Sequence, residues 1–261
     1  MVKWSDLMAE FDRWEEEGKV ATLWWRDDDA VAPTARLRRL LSIAPAIPLS
    51  LAVIPMAAER ELAEWLGRCP RSAPNASVHV LQHGWRHLNH ARVGKKSEFP
   101  VDRPSAEVMF DLAAARERLD ALFGVRALPV LVPPWNRFDN SFLVLLPRCG
   151  LTAISRVRPR SAAPLLRVSE VNIHVDLVAW KGSRGFVGEE AALRGVVEHL
   201  RARRLRTVCA DEPTGILTHH LLQDEAAEAF LDRLIATTTA HPAARWLNAA
   251  EVFAPASAAT A

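Results

Sequence analysis

Two histidines four residues apart, His83 and His87, stand in the run Gln82-His-Gly-Trp-Arg-His-Leu-Asn-His90. If the chain turns helically there, both imidazoles fall on one face and can share a metal ion. Four of the nine histidines lie between His79 and His90, a density that core packing does not require. Upstream, Arg26 is followed by Asp27, Asp28 and Asp29. Adjacent carboxylates repel one another unless a cation or an arginine offsets them. One carboxylate with two imidazoles and open positions for water is a catalytic zinc ligand set, and nickel, cobalt and iron accept similar donors. Pro133 and Pro134 stiffen the backbone before Trp135, Asn136 and Arg137, offering an apolar wall for a sugar ring or acyl group. His219 and His220 follow an apolar run, and a general acid poised near neutrality is most often a histidine. A second carboxylate and a distant histidine suit the base and acid of metal-assisted hydrolysis.

The elements that must position these groups alternate along the chain. Hydrophobic patterning predicts a helix over 4–17, then strands over 20–26, 48–54, 78–81, 128–132, 151–155, 171–175 and 215–218. Helices are predicted over 34–42, 57–68, 105–123, 140–149, 189–204 and 223–239. Strand followed by helix implies parallel pairing, and about seven such units point to a single-domain barrel rather than an open doubly wound sheet. No Gly-x-Gly-x-x-Gly follows the first strand, which disfavours a dinucleotide site. The expected organisation is an N-terminal helix at 1–19, a barrel over 20–250 and a tail at 251–261. Each polar cluster follows a predicted strand, where parallel barrels carry their chemistry. Two connections are long, 91–104 and 156–167, and long loops in compact domains are often functional.

Composition narrows the partners. Lys plus Arg number 33 against 31 Asp plus Glu, a net charge of +2 with scattered basic residues, so nucleic acid is not expected. Three distant cysteines fit no complete disulfide framework and read as small buried residues of a reducing compartment. The N-terminal ten residues are charged where a signal peptide would be apolar, and no uncharged stretch is long enough to span a bilayer. A cytoplasmic protein acting on a small molecule or carbohydrate is expected, with its oligomeric state open.

In this order the four clusters resemble the polysaccharide deacetylase family with the NodB homology domain, over residues 20–235. That family carries a Thr-Phe-Asp-Asp-Gly strand end, a spaced histidine pair, an Arg-Pro-Pro-Tyr-like segment and a late Leu-x-His. Here these look like Arg26 to Ala30, His83 to His87, Val132 to Trp135 and Leu217 to His219. The form most resembles a divergent His-Gly-Trp-x-His and Pro-Pro-Trp-Asn branch. The resemblance implies a distorted (β/α) barrel and a metal-dependent N-deacetylase of sugars or related conjugates. It implies that Asp29, His83 and His87 bind a metal, zinc first among the candidates, and that Asp28 is the base. A one-residue slide would make Asp27 the base and Asp28 the ligand. His219 matches the general acid, the Trp135 N–H an oxyanion donor, and Asp176 the carboxylate that orients the acid. Trp135, Asn136, Arg137, Trp85 and His90 are the expected substrate contacts. Val132 stands where the family has the arginine that orients its base, leaving Arg26 or Arg137 as substitutes. Ala30 replaces a glycine and Gly84 a hydroxyl residue. The missing arginine supports the alternative of a non-catalytic carbohydrate-binding relative. A phosphate-binding enzyme on an ordinary barrel lacks the glycine-rich loop it would need.

Overall fold

Strand β1 (Ala21–Ala30) is the axis of the molecule, and the other strands run parallel to it on either side. The computed structural model describes residues 1–69, 77–160 and 168–254. After β1 come β2 (Leu49–Val53), β3 (Val78–His83), β4 (Ala127–Val132), β5 (Ala153–Ile154), β6 (Ser169–Glu170), β7 (Val175–Asp176), β8 (Thr214–Thr218) and β9 (Ala244–Trp246). Their spatial order is β6-β5-β4-β3-β2-β1-β8-β7, with β9 paired to the first residues of β1. β6 and β7 are the two ends of one extended stretch. Its earlier amides bond the β5 side, Ser169 to Thr152 and Ile173 to Arg156, both at 2.9 Å. Its later ones bond β8, His174 to Gly215 at 2.9 Å and Leu177 to Leu217 at 3.0 Å. A single stretch bonded on both sides closes the strands into a distorted barrel.

The helices are α1 (Trp4–Glu16), α2 (Ala35–Ile43), α3 (Arg60–Arg68), α4 (Ser105–Phe123), α5 (Glu189–Arg204), α6 (Glu225–Thr239) and α7 (Ala249–Val252). Their starts follow side-chain capping: Thr34 accepts the Leu37 N–H and Asp224 the Ala227 N–H. Helix α4 stops at Gly124, whose φ of +53° suits a residue without a side chain. Alternating strand side chains divide the core into two layers. Leu23, Trp25, Val78, Val80 and Ile216 face the helices. Trp24, Leu81, Val130, Val132 and Leu217 fill the barrel, closed below by Ala249, Val252 and Phe253.

Several expected elements take a different form. The helix expected over 140–149 is two 3-10 turns, Asn140–Leu145 and Pro147–Cys149, because Pro147 lacks the N–H needed to continue a helix. The helix expected from 57 starts at Arg60, after a 3-10 turn at Pro55–Ala57. Strand β1 runs through the three aspartates instead of ending at Arg26, and β9 and α7 carried too little pattern to be expected. Part of the long 156–167 connection and part of the 251–261 tail lie outside the described residues. Among the described residues no helix is long and apolar enough to cross a membrane.

Candidate metal centre

Strand alternation carries the interior side-chain rows of three strands to one mouth of the barrel. Trp24 leads to Arg26 and Asp28 on β1, Leu81 to His83 on β3, and Leu217 to His219 beyond β8. Asp27 belongs to the opposite face of β1. Asp29 would follow Asp27, but its φ of +72° and a register shift between Asp27 and Ala30 turn it back toward the mouth. Two successive carboxylates therefore serve one site. Backbone strain gathers there: among the described residues, Asp29, His87, Trp135 and Asn136 are four of seven non-glycine residues with positive φ.

Asp29 Oδ1 lies 3.1 Å from His83 Nε2 and 3.4 Å from His87 Nε2. The expected ligand set thus converges, with one donor atom from each residue within 4.8 Å of the others. Its chemistry fits a cation. The Val132 carbonyl can only accept, so His83 Nδ1, 2.9 Å away, carries the proton. In the neutral ring Nε2 then turns a lone pair toward a carboxylate, an arrangement that needs positive charge between the two. Burial works to raise the Asp29 carboxyl, but His83, His219 and His87 hold it well below the usual carboxylate range. Burial lowers His83, yet Asp29 and Asp28 outweigh it and leave the ring raised, whereas burial and His83 lower His87. The histidine pair does not sit on a helical turn; positive φ at Gly84 and His87 shapes the connection.

Asp28 is held by Arg26. The guanidinium is buried and grips both carboxylate oxygens, at 2.8 and 2.9 Å. Its other N–H groups reach the Ser155 hydroxyl and carbonyl and Asn136 Oδ1, so all five have acceptors. Arg137 instead donates to the Lys96 carbonyl. Of the two candidate substitutes for the missing arginine, Arg26 is the one on the carboxylate. Asp27, the catalytic base in the register slid by one, is elsewhere: it accepts from the Thr218 hydroxyl at 2.7 Å and meets His220 Nδ1 at 2.5 Å. Burial would lower His220, but Asp27 raises it. This buried pair ties the end of β8 to β1.

His219 is buried with its Nδ1 lacking a hydrogen-bond partner among the described residues. Its ring and that of Trp180 meet in a T-shaped contact with centroids 4.8 Å apart, and the Trp180 indole N–H donates to Asp176 at 2.7 Å. Asp176, expected to orient the acid, thus reaches the histidine through Trp180. Burial outweighs His219 and the two N–H donors and raises the Asp176 carboxyl. Trp135 packs on His87 at 4.4 Å, with the Lys96 ammonium 6.0 Å above its ring. The Trp135 N–H has no acceptor among the described residues. The other expected substrate contacts are placed differently. Asn136 is a strut for Arg26, Trp85 is 8% exposed, and His90 lines a neighbouring cavity of about 410 Å³ with Arg86, Leu88 and Phe110. Ser155, Trp180 and Glu98 were given no role by the sequence: Ser155 is remote from the polar clusters, Trp180 follows Asp176 without a pattern of its own, and Glu98 is one charge inside the long 91–104 connection.

A second cluster, His174, His199 and Glu212, lies near the opposite end of the barrel. The Gly215 N–H donates to His174 Nδ1 at 3.0 Å, so the neutral ring carries its proton on Nε2, facing Glu212 at 3.5 Å. A proton there leaves no lone pair for a metal. The rings of His174 and His199 stack at 3.5 Å. The tautomer separates this packing cluster from the candidate centre.

No family model and no curated protein matches the sequence. Solved structures do match. A candidate polysaccharide deacetylase of Mycobacterium smegmatis aligns at TM-score 0.61 and 14% identity over 90% of this chain and 89% of its own. The peptidoglycan deacetylase PdaC of Bacillus subtilis aligns at 0.54 and 14%, over 89% and 90%. A family 4 acetyl xylan esterase of Clostridium thermocellum, in complex with a cobalt ion, aligns at 0.53 and 14%, again over 89% and 90%. At such identities the likeness is one of fold: the chain has the NodB-like barrel shared by polysaccharide deacetylases and family 4 carbohydrate esterases.

Proposed function

We propose that this protein is a metal-dependent hydrolase that removes the acetyl group from an N-acetylated sugar or related conjugate. The observation that carries the reading is the pairing of two carboxylates with distinct partners: Asp29 against two imidazole nitrogens, and Asp28 in the fork of Arg26. A divalent metal held by Asp29, His83 and His87, zinc in the first instance, would supply a Lewis acid at the amide carbonyl and make water more acidic. Asp28 accepts the proton of the attacking water as its oxygen bonds to the carbonyl carbon. The Trp135 N–H donates to the oxygen that gains negative charge. His219 gives a proton to the departing nitrogen as the C–N bond breaks, leaving acetate and a free amine. The Trp135 and Trp180 rings supply apolar surface for a sugar face, as the names of the structural neighbours also favour.

The non-catalytic alternative drew its support from the valine at position 132. Arg26 on Asp28 supplies a guanidinium where the family's arginine is missing, which favours the catalytic reading. The test is metal content and acetate release by the purified full chain on N-acetylglucosamine oligomers and smaller N-acetylated sugars. We expect one divalent ion per chain and its loss in His87→Ala. A wild type without a metal ion, or His87→Ala with undiminished metal, would sink the proposal. Metal-loaded protein that binds acetylated sugars without turnover would return the alternative.

A further inference from the structure

The connection between the two histidines bends through Gly84 at φ +61° and ends on His87 at φ +55°. Nothing in its own five residues supplies the hydrogen bonds a helical turn would have given. Its two middle amides converge instead on Glu98. Glu98 Oε2 accepts the Trp85 N–H at 3.2 Å and Oε1 the Arg86 N–H at 2.7 Å. The carboxylate is fully buried and comes from the long 91–104 connection. That connection is itself fastened to the histidine run: the His90 N–H bonds the Ser97 carbonyl at 2.8 Å and the Ser97 N–H bonds Asn89 Oδ1 at 2.9 Å. Arg103 donates to the Glu98 carbonyl at 3.2 Å from the other side.

We propose that Glu98 is a positioning residue for the metal centre, holding the 83–87 turn so that both imidazole Nε2 atoms meet Asp29. The inference rests on the metal reading above. Two N–H donors aimed at one point suit a carboxylate, whose two oxygens accept both as charge-assisted bonds. The glycine in the turn is matched to it. A Cβ on residue 84 would stand 1.9 Å from Glu98 Oε2 and 2.7 Å from Pro134 Cδ, so a hydroxyl residue has no room. Pro134 also begins the segment carrying Trp135. Glu98 therefore braces the place where the histidine run meets the wall of the pocket.

The test measures cobalt(II) affinity of the full chain by competition with a chelator, together with the visible spectrum of the cobalt form. Glu98→Gln keeps the volume and one acceptor but turns an amide NH₂ toward the second N–H. We expect its cobalt Kd to rise about tenfold and that of Glu98→Ala about a hundredfold, in the range for residues that orient ligands. The cobalt spectrum shifts in both, while the melting temperature of metal-free Glu98→Gln stays near that of wild type. If Glu98→Ala does not fold, Glu98→Gln decides alone. Wild-type affinity and spectrum in Glu98→Gln overturn the role of Glu98 and leave the metal reading standing. A wild type that takes up no cobalt overturns both.

Discussion

Every N–H of Arg26 has an acceptor, and two of those acceptors are the oxygens of Asp28. A buried guanidinium so completely bonded has one available geometry, and it passes that geometry to the carboxylate. Arg26→Lys retains the charge but loses the planar fork, so Asp28 is free to rotate. We expect kcat to fall roughly a hundredfold, the scale of a displaced general base, while bound metal stays at wild-type stoichiometry. Turnover near wild type in that variant would make Arg26 a purely structural residue. The sequence left Arg26 and Arg137 as equal candidates for this role; the pair became visible only because β1 continues past Arg26, which puts positions 26 and 28 on one face. Whether Asp28 or Asp29 would meet the histidines depended on one positive φ at Asp29, which no spacing rule anticipates. Glu98 was hidden for another reason. Its partners are backbone amides, which leave no trace in side-chain patterning.

At the scale of elements, the strongly periodic helices α1, α4 and α5 fall where the sequence predicts them, to within a residue. The last strands before β8 were the least legible. A stretch that bonds β5 at one end and β8 at the other has two short ladders, each too brief for an alternating pattern. Its closeness to β8 depends on Gly215. A Cβ there would lie 2.5 Å from Trp24 Nε1 and 2.7 Å from the Asn172 carbonyl, which also accepts that indole N–H. We expect Gly215→Ala to cost about 2 kcal/mol through overpacking and to lower the melting temperature by roughly 4–8 °C. An unchanged melting temperature would mean that the closing stretch moves aside freely. Because β8 also leads into His219, the same variant should lose activity without losing metal.

Across the whole molecule, the two ends of the barrel hold histidines in opposite protonation patterns. At the mouth, a carbonyl fixes the proton on His83 Nδ1; near the other end, an N–H fixes it on His174 Nε2. This lower cluster is a liability in acid. Burial, with His174 and Arg203 close by, pushes His199 down to about 2 from an ordinary 6.5, and burial also lowers His174 despite the facing Glu212. The folded chain keeps His199 neutral, whereas the unfolded chain takes up a proton as pH falls below 6.5. Stability from His199 is therefore complete above that value and declines as acid is added. Between about pH 7.5 and about pH 5 the loss is about 2 kcal/mol for this one group. Urea unfolding of the metal-free protein at both pH values should show that loss, with a smaller one in His199→Gln, whose amide can still bond Thr214. Equal pH dependence in the two proteins would mean that His199 is charged in the fold. Metal-free protein is required because protons would also compete with a metal for the proposed ligands Asp29, His83 and His87. The comparison thereby separates the contribution of His199 beneath the barrel from that of any ion bound by the proposed centre above it.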